Sequence, residues 1–122
     1  GTSDFVVLLP GELQVHDLKY GRGVPVSALN NYQLRLYGLG ALEAFGDFAV
    51  EPIERVRVFI HQPRLGSISD ETIPVRELEA FRQQVEAASY QVWQALQCDE
   101  PESFPLYLQP SESACRWCKA KA

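Results

Sequence analysis

The Pro10-Gly11 step constrains the fold of this chain more than any other local feature, because it separates two segments that each read as a strand. Asp4 to Leu9 (D-F-V-V-L-L) is a short apolar run with the length and β-branched content of a buried strand. Leu9-Pro10-Gly11-Glu12 puts Pro second and Gly third, as in a reverse turn. Leu13 to Lys19 then alternates, with Leu13, Val15, Asp17 and Lys19 on one face and Gln14, His16 and Leu18 on the other. Together the segments predict a β-hairpin.

Pairing Leu9 with Glu12 across that turn sets Asp4 opposite Asp17, with Cβ atoms about 4.5 to 5.5 Å apart. A slip of one residue would send the two carboxylates to opposite faces, and Pro-Gly is not the favoured hairpin turn, so the pairing rests on the turn geometry. Facing like charges destabilise a fold unless a cation lies between them or one is protonated. A hard divalent ion, Mg²⁺ or Mn²⁺, suits the carboxylate oxygens. Lys19 shares the face of Asp17, where an ammonium can position an attacking water and offset charge on a phosphoryl group.

The remaining segments supply the framework. Tyr20 to Val26 holds two glycines and a proline and reads as a loop. Ser27 or a nearby Asn then caps a helix to about Phe45, with Gly46 as its stop. Gly38 and Gly40 each cost that helix about 1 kcal/mol, which points to a close approach of backbone to sheet or ligand. Gln33 and Tyr37, four apart, share one helix face and can reach the phosphate or the attacking water. Ile53 to Ile60 predicts a strand with Val56, Val58 and Ile60 on one face and Arg55, Arg57 and Phe59 on the other, ended by Pro63 and Gly66. Ile68 to Ile73 predicts a partner strand. An amphipathic helix follows, with Val75, Leu78, Phe81, Val85, Ala88, Val92 and Leu96 as its core stripe. Residues 1–97 are thus expected to form the core, and 98–122 a tail closing on C-R-W-C-K-A-K-A.

With 122 residues and 46% hydrophobic content, the chain can bury one core and is not disordered. It has no apolar run of about 20 residues and no signal-peptide pattern, so the expected address is the cytoplasm, without membrane partners. Gly at position 1 and the lack of any Met lead to the expectation of a fragment whose N-terminal elements are missing. Cys98, Cys115 and Cys118 are an odd set, suited to reduced thiols or an incomplete metal site rather than to a disulfide framework. The formal charge of -5 runs against the basic surface expected of a nucleic-acid binder.

Gly1 to Asp4 (G-T-S-D), Asp17 to Lys19 (D-L-K) and Gln33 to Tyr37 (Q-L-R-L-Y) resemble, in order, the G-x-x-D, (D/E)-x-K and Q-x-x-x-Y motifs of the RecB-like branch of the PD-(D/E)XK nuclease superfamily. Each motif is weak alone; their order over strand, strand and helix carries the likeness. The stretches D-L-K-Y-G-R-G-V-P-V-S and N-N-Y-Q-L-R-L-Y-G-L-G-A-L are similar to a group of phage and prophage proteins regarded as exonucleases, and that wider likeness extends to the closing Cys pair. The resemblance implies a restriction-endonuclease-like α/β fold, a mixed sheet flanked by helices. It implies Mg²⁺ or Mn²⁺ held by Asp4, Asp17 and the backbone carbonyl of Leu18, a Lys19 that positions the nucleophile, and Gln33 and Tyr37 as orienting groups. DNA is the implied substrate, with other phage recombination proteins as partners. Some relatives hold an iron-sulfur cluster through one upstream and three downstream cysteines; the truncated pattern here implies such a cluster only in a longer parent chain.

Competing readings of the same residues are structural. A D-x-K on a strand edge is commonly a solvated ion pair, and the facing Asp4 with the following Q-x-x-x-Y argues against that here. His16 points away from the proposed site, and His61 ends a strand, so both read as satisfied or exposed side chains. Arg64 reads equally as a phosphate contact or a surface arginine, and Trp93 as packing beside the apolar stripe. The alternative function is a non-catalytic nucleic-acid or protein-binding module on the same fold.

Overall fold

The computed structural model describes residues 3–21, 24–99, 103–108, 110–116 and 118–119. Strands β1 (Phe5–Leu9) and β2 (Glu12–Leu18) form the hairpin, followed by helix α1 (Tyr32–Phe45), strands β3 (Arg55–Gln62) and β4 (Ser67–Pro74), and helix α2 (Val75–Leu96). Short helical turns occupy Gly46–Phe48, Pro63–Leu65 and Phe104–Tyr107, and α3 is the single turn Glu112–Cys115. The chain forms two compact units, Gly1–Gln83 and Gln84–Ala122, and α2 runs from the first into the second. Among the described residues no helix is long and apolar enough to cross a membrane.

The hairpin adopts the register expected from its turn, Leu9 opposite Glu12 and Phe5 opposite His16. Gly11 supplies the left-handed backbone (φ 68°) that a Pro-Gly turn requires. The turn is also braced from outside, because the Gly11 carbonyl accepts from the N–H groups of Glu54 (2.9 Å) and Arg55 (3.3 Å). That brace accounts for a Pro-Gly turn where Asn-Gly would be the usual choice.

The sheet is mixed, in the order β1-β2-β3-β4. β2 and β3 are parallel, with α1 in the crossover between them, and the other pairs are antiparallel. One face carries Leu13, Val15, Val56, Val58, Ile60 and Ile73, all essentially fully buried. Each such side chain contributes roughly 1.5 to 3 kcal/mol of burial free energy. Leu34 and Leu39 of α1 and Leu78 and Phe81 of α2 join them. The fold is therefore α/β, a four-stranded mixed sheet flanked by helices.

Helix α1 starts one turn later than Ser27 would place it. Asn31 is its cap, accepting from the Leu34 N–H at 3.2 Å. At the other end Gly46 keeps a right-handed backbone (φ -57°), and the chain tightens into the turn Gly46–Phe48 instead of reversing through a left-handed residue. Gly38 is where α1 meets the sheet: a Cβ there would lie 3.2 Å from Val56 Cγ1 and 3.6 Å from Leu78 Cδ2. Gly40 has no atom within 4 Å of such a Cβ, so close packing does not explain it. Gly40→Ala is accordingly expected to raise unfolding free energy by about 0.5 to 1 kcal/mol in a urea titration.

The apolar stripe of α2 is buried over a shorter span than its periodicity suggests. Leu78 and Phe81 are buried and Val85 is half-buried, whereas Ala88, Val92 and Leu96 are exposed. Trp93 is also exposed, and its ring stacks on Tyr90 at 5.9 Å instead of lying in a core. A 3.6-residue period records which side chains share a face but not how far the covering surface extends.

Candidate active site

Asp17 continues the buried row Leu13-Val15 and is itself 4% exposed, so β2 carries a carboxylate into the core face opposite Ile60. Burying a charge is costly unless it is paired. Lys19 provides the pairing charge, with Nζ 2.9 Å from Asp17 Oδ2. The contact has the distance of an ion pair without the angles of a hydrogen bond, and Oδ2 stays buried with no hydrogen-bond partner. Lys19 follows the last residue of β2, but its N–H still donates to the His61 carbonyl at 2.8 Å, which aligns it with the sheet.

Asp4 lies just before β1. Its N–H donates to the His16 carbonyl at 3.1 Å, one position off the register of the hairpin, whose last pair is Phe5 with His16. The Asp4 side chain is exposed, and its Oδ2 accepts from the Leu18 N–H at 2.5 Å. Asp4 thereby grips the backbone beside the carbonyl that the family resemblance makes a ligand. Gly1 and Thr2 of the G-x-x-D stretch lie outside the described residues.

Gln33 and Tyr37 share a face of α1 as their spacing requires, and Gln33 Nε2 donates to the Tyr37 hydroxyl at 2.8 Å. Tyr37 lines a cleft of about 340 Å³ with Ser3, Val6, Leu36, Gly40 and Phe45. Ser3 immediately precedes Asp4, so the cleft runs from Tyr37 to the start of the hairpin. The structure thus makes three local pairs: Asp17 with Lys19, Asp4 with the Leu18 backbone, and Gln33 with Tyr37.

The donor set fits a hard divalent ion. Two carboxylates, Asp17 on β2 and Asp4 just before β1, offer oxygen only, and Asp17 contributes a buried oxygen that lacks a hydrogen bond. Among the described residues no three His, Cys, Asp or Glu side chains converge as a metal site. An ion at Asp4 and Asp17 would complete its shell with backbone oxygen and water, as Mg²⁺ commonly does. Cys98 and Cys115 are half-buried and Cys118 is exposed, without a disulfide among them.

The opposite sheet face holds a stack that the sequence did not announce. Phe5, His16 and Phe59 occupy facing positions on β1, β2 and β3, with ring centroids 4.2 and 4.4 Å apart. His16 Nδ1 lies 2.9 Å from His61 Nε2, and His16 Nε2 lies 3.3 Å from Gln14 Oε1. Gln14 Nε2 donates to Glu12 Oε1 at 2.6 Å, which leaves its carbonyl oxygen to accept from His16. His16 therefore carries its proton on Nε2 and accepts from the His61 Nε2–H. Both histidines are satisfied side chains, away from the Asp17 face.

Burial, and then repulsion from His61, lower the pKa of His16 below its ordinary value of 6.5. The unfolded chain then binds the extra proton first. Stability from this group is present above about pH 6.5 and is lost as pH falls below it. Melting temperature is expected to drop between about pH 7.5 and 5.5, and less steeply in His16→Phe, which keeps a ring between Phe5 and Phe59. Parallel pH profiles for the two proteins would show that another group controls the slope.

Two features of this region escaped the sequence reading. Gln62 extends the alternating row Val56-Val58-Ile60 and is 3% exposed, a position its spacing could have flagged. The Arg64 guanidinium lies 4.4 Å from the centroid of the Tyr20 ring, a contact that no local pattern encodes.

No solved structure matches the chain. A family does match it over its whole length, residues 1–122, and the chain belongs to that family, described as Protein of unknown function (DUF2800).

Proposed function

We propose that this protein hydrolyses DNA phosphodiesters, exonucleolytically, with Mg²⁺ or Mn²⁺ bound at Asp4 and Asp17. The observation that carries the reading is the buried Asp17 oxygen, 2.9 Å from Lys19 yet lacking any hydrogen bond, next to Leu18, whose N–H donates to Asp4. A carboxylate left so is costly in a purely structural role and useful as a cation ligand. The resemblance of residues 1–37 to RecB-like nucleases, and the restriction-endonuclease-like fold it implies, supports the same reading.

A bound divalent ion supplies Lewis acidity at the phosphoryl group. Asp4 and Asp17 fix where that acidity acts, and the Asp4 bond to the Leu18 N–H holds the strand end that carries Lys19. The Lys19 ammonium holds a water in line with phosphorus and balances negative charge on the phosphoryl oxygens. A new bond forms between water oxygen and phosphorus as that water gives up a proton to solvent, the ester P–O bond breaks, and the leaving oxygen takes a proton from solvent. Tyr37, whose hydroxyl accepts from Gln33, orients the strand in the cleft it shares with Ser3.

Mn²⁺-dependent degradation of end-labelled DNA by the protein and by Lys19→Ala tests this. Loss of the ammonium is expected to slow hydrolysis on the order of 10² to 10³-fold. Equal rates in both proteins, or none in either, would sink the mechanism.

A further inference from the structure

Because β2 and β3 are parallel, the segments leaving them run side by side. The Val26 N–H donates to Gln62 Oε1 at 2.8 Å, Gln62 Nε2 donates to the Val24 carbonyl at 3.4 Å, and the Ala28 N–H donates to Ser69 Oγ at 2.9 Å. Buried Gln62 thus pins the loop after Lys19 to the end of β3 from inside. On the outside of this seam, Arg64 stacks over Tyr20, the residue after Lys19, and both side chains are exposed.

The chain carries a net -5, yet residues 18–21 and 61–69 contain Lys19 and Arg64 and no Asp or Glu. Lys19 is paired with Asp17, and Arg64 gives the seam a cation that attracts an anionic strand.

We propose that Tyr20 and Arg64 anchor an unpaired DNA strand beside the Asp4, Asp17 and Lys19 centre. Arg64 bonds a backbone phosphate, and the open face of Tyr20 stacks on a base. The inference rests on the nuclease reading of that centre. The Arg64 guanidinium carbon sits over the Tyr20 ring, and a guanidinium so placed can still offer N–H groups to a phosphate. It also occupies only one face of the Tyr20 ring, and the residue is 60% exposed. Bases inside a duplex are stacked on both sides, whereas an unpaired base has a face to give, so the platform selects single strands.

Fluorescence anisotropy with a labelled oligonucleotide of about 20 deoxythymidines, and with a duplex of similar length, tests the anchor with Ca²⁺ in place of Mn²⁺. The single strand is expected to bind more tightly than the duplex. Tyr20→Ala and Arg64→Ala are each expected to weaken single-strand binding about tenfold, with Tyr20→Phe retaining it. Arg64→Ala is also expected to lower the slope of log K against log salt by about 0.7, the signature of one lost phosphate contact, which a merely structural defect would not give. Single-strand affinity unchanged in both alanine variants, or undetectable in the unaltered protein, overturns the anchor. Should hydrolysis persist while binding ignores both residues, the anchor fails and the nuclease reading stands. Should both variants lose binding in a protein without Mn²⁺-dependent hydrolysis, the anchor stands and the nuclease reading fails.

Discussion

Asp17→Asn is expected to lower Mn²⁺-dependent DNA hydrolysis on the order of 10³-fold or more and to remove the thermal stabilisation that Mn²⁺ confers. The amide keeps the shape of the side chain and removes the negative charge from the buried oxygen that lacks a hydrogen bond. Without metal the variant should fold nearly as well, because Lys19 is about one third exposed and a pair to such a group stabilises by about 1 kcal/mol at most. With Mn²⁺ near 100 times its dissociation constant, the unaltered protein gains about 2.7 kcal/mol, on the order of 10 °C in melting temperature. Calorimetry of both proteins across a Mn²⁺ titration checks this without relying on activity. Equal stabilisation of the two would remove Asp17 from the ligand set.

Arg35→Ala is expected to cost about 3 to 5 kcal/mol of unfolding free energy, the largest structural effect in the molecule outside the apolar core. Arg35 projects from α1 with its side chain only 10% exposed, and its Nη2 reaches Glu71 at 2.7 Å, Glu77 at 3.1 Å and Asn30 Oδ1 at 3.1 Å. Glu71 also accepts from the Asn30 N–H at 3.1 Å, which stabilises the left-handed backbone of Asn30 (φ 52°) just before the helix. The cluster ties the approach to α1 onto β4 and α2. Truncating Arg35 strands the carboxylate of Glu71, itself 12% exposed. Replacing both Arg35 and Glu71 by Met should recover much of the loss, because an apolar pair leaves no unpaired charge. Urea unfolding of the single and double variants measures it. A single-variant loss under about 1 kcal/mol would mean that water already screens the pair.

The hairpin register and the shared face of Asp17 and Lys19 were legible because each depends on neighbours in sequence, whereas their ion pair is the structural reading of D-x-K that the motifs around it argued against. A two-residue turn fixes the register, and alternation fixes the face, so Asp17 and Lys19 had to fall on one side of β2. The spacing of Gln33 and Tyr37 likewise dictated their contact. The reach of the α2 stripe was not legible, because Val92 and Leu96 repeat the pattern of Leu78 and Phe81 while standing in solvent.

By itself, then, the sequence determined the strands and α1, the side of β2 that bears Asp17 and Lys19, and the turn that fixes the hairpin register from Leu9 opposite Glu12 to Phe5 opposite His16. Only the tertiary structure decided that β2 and β3 lie parallel and adjacent. From that one pairing follow the His16–His61 contact, the buried Gln62 under the loop and the Tyr20–Arg64 stack. The reason is physical: turns and periodicities are set by residues a few positions apart, whereas the choice of neighbouring strand is set by which core faces pack together. The two carboxylates of the proposed metal site belong to the first kind of information, and the proposed strand anchor belongs to the second.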